Sequence, residues 1–185
     1  MISNKDRSSF FGASDVSYIV GNWNTKSFEK WWLVKLGIIQ NNYTNESMLA
    51  GTYIEHNILK ALNIPNLMTD NQIILDRLRV NLDGNTNDTI YEIKTYNFKK
   101  EFKVTKQYYN QVQVQMYATG IRKAYIVSYG LEEEDYNNYY KKIDENRINF
   151  HEIKYDEKFI ECFLPKLEYL SSCLQEGVFP NESEN

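Results

Sequence analysis

Residues 79–94, RVNLDGNTNDTIYEIK, decide the fold. RVNLD (79–83) has the length and turn-bounded pattern of a short strand, GNTND (84–88) is a turn signal, and TIYEIKT (89–95) is rich in β-branched and aromatic residues. The stretch therefore reads as two strands joined by a turn. In the second strand Glu92 and Lys94 stand two residues apart and project from one face, while the intervening Ile93 points to the opposite side and into the core. Asp83 ends the first strand. Read singly, Asp83-Gly84 is an ordinary turn pair and Glu92–Lys94 an ordinary surface pair on an edge strand.

Upstream, QIILD (72–76) reads as a further short strand. Before it, a helix runs from just after Asn45 to about Asn63, with Met48, Thr52, Leu59 and Leu62 along one stripe. Glu55 shares that stripe. A buried carboxylate must be paired or metal-bound, because an isolated buried charge costs several kcal/mol, so Glu55 is either a core residue satisfied by an Arg or a backbone amide, or a ligand. A helix from about Ser27 to Gly37 carries Phe28, Trp31, Trp32 and Leu36, and a short one begins with Ser14 as N-cap and stops at Gly21. Downstream, Thr105 caps a helix that ends at Thr119 before Gly120, and KAYIVSY (123–129) is a strand. Residues 132–142 form a solvated loop or short polar helix and 147–155 a last strand. Asp156 opens a helix to Glu176, interrupted or kinked at Pro165. The order predicts an α/β fold, a mixed sheet flanked by helices, in one domain over 1–177 with a polar tail at 178–185.

The chain has 185 residues, 42% hydrophobic and 15% aromatic, and its 21 basic and 25 acidic residues give a formal charge of −4. That composition excludes a disordered chain and speaks against bulk-charge coating of nucleic acid, but not against a local basic groove. Two cysteines, Cys162 and Cys173, cannot build a disulfide framework or a four-cysteine metal site, and both are expected to be buried hydrophobes. No run is long and apolar enough to span a membrane, and MISNKDRSSFFGASD lacks a secretory h-region, so the expectation is a soluble cytoplasmic protein, or one of the host-cell interior if viral. His56 and His151 accompany no nucleophile motif, and no phosphate-binding P-loop is present.

Taken together, Glu55, Asp83, Glu92 and Lys94 supply three hard oxygen donors and one ammonium, a set suited to Mg²⁺-assisted phosphodiester hydrolysis. Here the sequence resembles the PD-(D/E)XK nuclease superfamily, with Leu82 where that name has proline. YYNQVQVQMYATG (108–120) resembles the signature helix of the lambda exonuclease and YqaJ-type viral recombinase family. GASD (12–15) followed by Phe28, Trp31, Lys35 and Gly37 resembles its N-terminal block, and MLAGTYIE (48–55) its M-x-x-G-x-x-x-E helix.

That resemblance implies a restriction-endonuclease-like core in which Glu55, Asp83, Glu92 and the backbone carbonyl of Ile93 hold one or two Mg²⁺ ions, with Mn²⁺ as a substitute. Lys94 matches the catalytic lysine, Gln111 the glutamine beside it, and Tyr108 the tyrosine one turn earlier. Arg7 and Ser14 match residues on a terminal 5′-phosphate, and Ser14 at a helix N-terminus is physically suited to an anion. Lys99, Lys100, Lys103 and Lys106 are either a solvated basic loop or a grip on DNA phosphates. The implied activity is a 5′-to-3′ exonuclease that degrades one strand of linear duplex DNA and leaves a 3′ overhang for recombination. Its implied partners are duplex ends, a single-strand annealing protein and a homotrimer, with no membrane. The alternatives are an endonuclease of restriction or repair type and a nonenzymatic DNA-binding or inhibitor protein on the same fold.

Overall fold

The computed structural model describes residues 9–40, 46–136, 138 and 141–181. A five-stranded sheet in the order β1-β2-β3-β4-β5 is built from β1 (Met68–Leu75), β2 (Leu78–Asn85), β3 (Thr89–Asn97), β4 (Lys123–Leu131) and β5 (Ile148–Lys154). Only β3 and β4 run parallel, and α4 (Lys106–Thr119) makes the crossover between them. The remaining helices are α1 (Val16–Ile19), α2 (Lys26–Lys35), α3 (Glu46–Ala61) and α5 (Glu157–Glu176). The mixed α/β sheet agrees with the expectation from sequence.

The helix ends sit where their capping chemistry places them. Thr25 Oγ1 accepts from the Phe28 N–H at 3.1 Å, Thr105 Oγ1 from Tyr108 at 3.2 Å, and Asp156 Oδ1 from Phe159 at 3.0 Å. Gly120 and Gly177 close α4 and α5 at φ of 74° and 71°.

Apolar residues fill both faces of the sheet. On one, Val80, Leu82, Ile90, Ala124, Ile126 and Ile153 meet Val112 and Met116 of α4, Phe163 and Leu170 of α5, and an N-terminal aromatic group of Phe11, Phe28, Trp31 and Trp32. On the other, Ile93, Val127, Tyr129 and Leu131 meet Ile54, Ile58 and Leu59 of α3. Each fully buried side chain of this kind contributes roughly 1.5–3 kcal/mol.

Several expectations are corrected. The first strand starts at Met68, four residues before the expected start, because Met68–Thr69 still pair with Asn85–Gly84. Ser14 is not an N-cap: it is exposed inside a 3₁₀ turn (Ala13–Asp15) capped by Gly12, and α1 after it is only four residues long. The helix α5 runs through Pro165 without a break, its apolar stripe of Ile160, Phe163, Leu167, Leu170 and Cys173 buried along the whole length. Cys162 is exposed and only Cys173 is buried. Of the two expectations for 132–142, the short polar helix fits Glu133–Tyr136, though it is not merely solvated. A 3₁₀ turn (Glu133–Tyr136) is tied down by a buried ion pair between Asp135 Oδ2 and Arg147 Nη1 at 2.7 Å, with the same guanidinium nitrogen donating to the Gly130 carbonyl at 3.0 Å. The first tail residues are engaged, since Val178 accepts from Trp32 Nε1 at 3.0 Å and the Asn181 N–H donates to the Tyr169 hydroxyl at 2.8 Å.

Candidate active site

The ladder between β2 and β3 consists of Gly84–Tyr91 and Asn85–Ile90 and then stops, so the two strands diverge where Asp83 and Glu92 follow. An N–H left without a strand partner at such a fork needs another acceptor. Asp83 supplies it: its Oδ2 accepts from the Ile93 N–H at 2.8 Å. Because a strand residue sends its N–H and C=O to the same edge, the Ile93 carbonyl faces the same gap. Ile93's side chain is buried against α3, as its strand parity requires.

Glu92 and Lys94 point to the other face, toward α4. The Glu92 carboxylate is 3% exposed. Its Oε1 accepts from Lys94 Nζ at 2.7 Å and from Gln111 Nε2 at 2.6 Å, and its Oε2 from Gln115 Nε2 at 2.5 Å. Lys94 Nζ also donates to Gln111 Oε1 at 3.2 Å and lies 5.1 Å from the centre of the Tyr108 ring. Tyr108, Gln111 and Gln115 occupy one face of α4, as their spacing predicts.

Glu55 reaches the gap from α3. A Cβ on Gly51 would stand 3.2 Å from Thr95 Oγ1, and one on Gly84 would stand 2.7 Å from Leu59 Cδ2, so two glycines let α3 lie close on β2 and β3. Glu55 is one turn beyond Gly51, which gives the M-x-x-G-x-x-x-E spacing a steric reason. Its helix phase differs from the expected one: Ile54, Ile58 and Leu59 are buried, Thr52 is exposed, and Glu55 is half-buried on the flank of the stripe. Met48 lies among residues whose side chains are outside the description.

The electrostatics join these carboxylates. Burial and then the Glu92 charge push the Glu55 pKa up from 4.5 to about 7, partly opposed by His56 and Lys94. Asp83 is pushed well above the ordinary carboxylate range by burial, then by the charges of Glu92 and Glu55. Burial pulls the Lys94 ammonium down, but the Glu92 and Asp83 charges outweigh it and leave its pKa raised. Two hard oxygen donors whose charge is disfavoured beside a third, Glu92, fit by their chemistry the demand for a divalent cation. Their spacing is more open than a closed coordination shell: among the described residues no three His, Cys, Asp or Glu side chains form a metal-holding group.

Of the other expected residues, Arg7 lies outside the described ones. Lys99, Lys100 and Lys106 are exposed, and Lys103 is 3.3 Å from Glu101 with both side chains in solvent. Their loop is anchored by Phe102, whose ring centre lies 5.2 Å from Tyr96, 6.3 Å from Tyr108 and 4.9 Å from His151.

The N-terminal motif builds a clamp. Asp15 accepts from the Gly12 N–H at 2.8 Å and Trp31 Nε1 at 3.0 Å, and pairs with Lys35 Nζ at 2.7 Å, while Lys35 also donates to the Phe10 carbonyl at 2.7 Å. Gln113, between the two site glutamines, is structural. It donates to the Lys154 carbonyl at 2.7 Å and accepts from the Asp156 N–H at 2.8 Å. Helical spacing puts Gln115 on the face of Tyr108 and Gln111, but no role in the site was expected of it.

The hairpin-led mixed sheet with α4 crossing from β3 to β4, and acidic residues at the fork of β2 and β3, has the arrangement expected from the resemblance to the PD-(D/E)XK core. Solved exonuclease structures share the fold. LHK-Exo, an alkaline exonuclease from Laribacter hongkongensis, is similar in its complex with dAMP at a TM-score of 0.69 and 19% identity, over 92% of this chain and 90% of that one. A phage-related exonuclease from Haemophilus somnus 129PT is similar at a TM-score of 0.62 and 15% identity, over 91% of this chain and 92% of that one. No protein-family profile and no curated protein sequence matches the chain. Among the described residues no helix is long and apolar enough to cross a membrane.

Proposed function

We propose that this chain is a divalent-cation-dependent deoxyribonuclease of the lambda exonuclease and YqaJ type, shortening one strand of linear duplex DNA from its 5′ end and leaving a 3′ overhang for recombination. The observation that carries this reading is the Glu92–Lys94–Gln111 group beside Asp83 at the fork of β2 and β3, on a fold shared with two exonucleases. Glu55, Asp83, Glu92 and the Ile93 carbonyl would hold the cation, Mg²⁺ or in its place Mn²⁺. When bound, the ion neutralises charge on the scissile phosphate and lowers the pKa of its water.

The chain's own residues divide the rest of the work. Lys94 has three N–H donors, and Glu92 and Gln111 take two, leaving one for a phosphate oxygen or an attacking water. From that position it can orient or deprotonate the attacking water, or meet charge developing on phosphate oxygens. Gln111 fixes both Lys94 and Glu92, so the ammonium and the carboxylate keep one relative position. The exposed lysines 99, 100 and 106 follow the Glu92 strand in sequence and suit DNA phosphates, with salt-dependent binding as the consequence. Arg7 and the Ser14 hydroxyl are proposed for the terminal 5′-phosphate on the strength of the resemblance. The dAMP bound to LHK-Exo is a deoxynucleotide, the product class expected of this activity.

The test uses linear duplexes labelled at either the 5′ or the 3′ end, with a 5′-phosphate or a 5′-hydroxyl, in Mg²⁺. The expected outcome is early release of the 5′ label and faster turnover of the phosphorylated end. Early loss of the 3′ label would reverse the polarity, and cutting of covalently closed circles would favour an endonuclease using the same residues.

A further inference from the structure

We propose that Gln115 is a positioning residue that aims Glu92 at the metal, an inference that rests on the nuclease reading above. Gln115 is fully buried on α4, at 0% exposure. Its Nε2 donates to Glu92 Oε2 at 2.5 Å and lies 3.4 Å from the Asn81 carbonyl oxygen, while its own Oε1 has no hydrogen-bond partner. A buried amide oxygen without a partner is costly, and an apolar side chain of similar volume would fill the same space without that cost. Packing alone therefore does not account for a glutamine here. What the amide supplies is direction.

A carboxylate offers about four lone-pair sites. On Glu92, Lys94 and Gln111 take the two of Oε1, and Gln115 takes one on Oε2. The lone pair left for a cation is thus on Oε2, the atom that Gln115 holds. Lys94 and Gln111 both act at Oε1, so they anchor one end of the carboxylate and leave rotation about that end open. Gln115 closes that freedom and sets where the remaining lone pair points. Outer-shell groups of this kind typically change metal affinity by about 10–100-fold.

The experiment measures Mn²⁺ binding to the full chain by calorimetry, without DNA, alongside melting in chelator, for wild type, Gln115→Met and Gln115→Asn. Met nearly conserves volume and removes both the donor and the unpartnered oxygen, and Asn keeps an amide that is one methylene too short to reach Glu92. Gln115→Met loses the unpartnered oxygen but also the donor to the buried Glu92 Oε2, so it should melt near or slightly below wild type, and both variants should bind Mn²⁺ about 10–100-fold more weakly. Wild-type Mn²⁺ affinity in either variant would overturn this inference alone. So would melting of both variants well below wild type, which would make Gln115 a structural residue. If the wild-type chain itself bound no Mn²⁺, the metal site and this inference would fall together.

Discussion

At the scale of single residues, Glu55 and Asp83 stand where the fold disfavours their charge. The Glu55 pKa rises from 4.5 to about 7 through burial first and Glu92 second, so folding favours the protonated acid. A folded-state pKa above the unfolded one contributes stability that is fully present below pH 4.5 and lost as pH rises through about 7. The contribution at stake is at most about 3 kcal/mol. The metal-free protein should therefore melt lower at pH 8 than at pH 5. Glu55→Gln should flatten that slope and melt above wild type at pH 8, while losing nuclease turnover. Melting curves in chelator across this range check the first part; a wild-type profile with no fall would show that Glu55 carries no unfavourable charge. The Glu92-x-Lys94 pair was legible in the sequence because strand parity puts both on one face, and Gln111 because the family resemblance places a glutamine beside that lysine. Gln115 was legible as a member of the Tyr108–Gln111 face but not in its role, which depends on which oxygen of Glu92 each donor reaches.

At the scale of elements, the placement of α3 depends on two residues without side chains. A methyl on Gly84 would lie 2.7 Å from Leu59 Cδ2, and Leu59 is itself 1% exposed, so neither partner has room to give. Gly84→Ala should cost about 1–3 kcal/mol by overpacking, and Leu59→Ala about 2–5 kcal/mol by cavity formation. Combined, they should cost clearly less than the sum, as urea unfolding of the four proteins in a double-mutant cycle would measure. Strict additivity would mean that α3 does not bear on β2 at this point. The sequence showed α3 as a helix but not its phase, because apolar residues at 54, 58, 59, 61 and 62 and at 48–50 allow more than one stripe. It showed the GASD block but not its use. Asp15 lies sixteen residues before Trp31 and twenty before Lys35, and only folding brings the three together as a clamp.

At the scale of the whole molecule, the order of strands and helices was legible, since turn residues separate the strands and two helices carry the expected caps, Thr105 and Asp156. The sheet's central feature was not: β2 and β3 separate after Gly84–Tyr91, and a ladder that ends early leaves no mark in a pattern of apolar alternation. That fork gathers carboxylates from α3, β2 and β3 and the amides of α4 into one place. The central claim is that this place cuts DNA. Its most direct measurement is single-turnover hydrolysis of a linear duplex in Mg²⁺ by wild type, Glu92→Gln and Lys94→Ala, with melting and duplex affinity recorded on the same proteins. The wild type should release nucleotides, Glu92→Gln should be inactive, and Lys94→Ala should be slower by at least about a hundredfold, with fold and duplex binding largely kept. Near-normal rates in Glu92→Gln, or no metal-dependent hydrolysis by the wild type, would contradict the account.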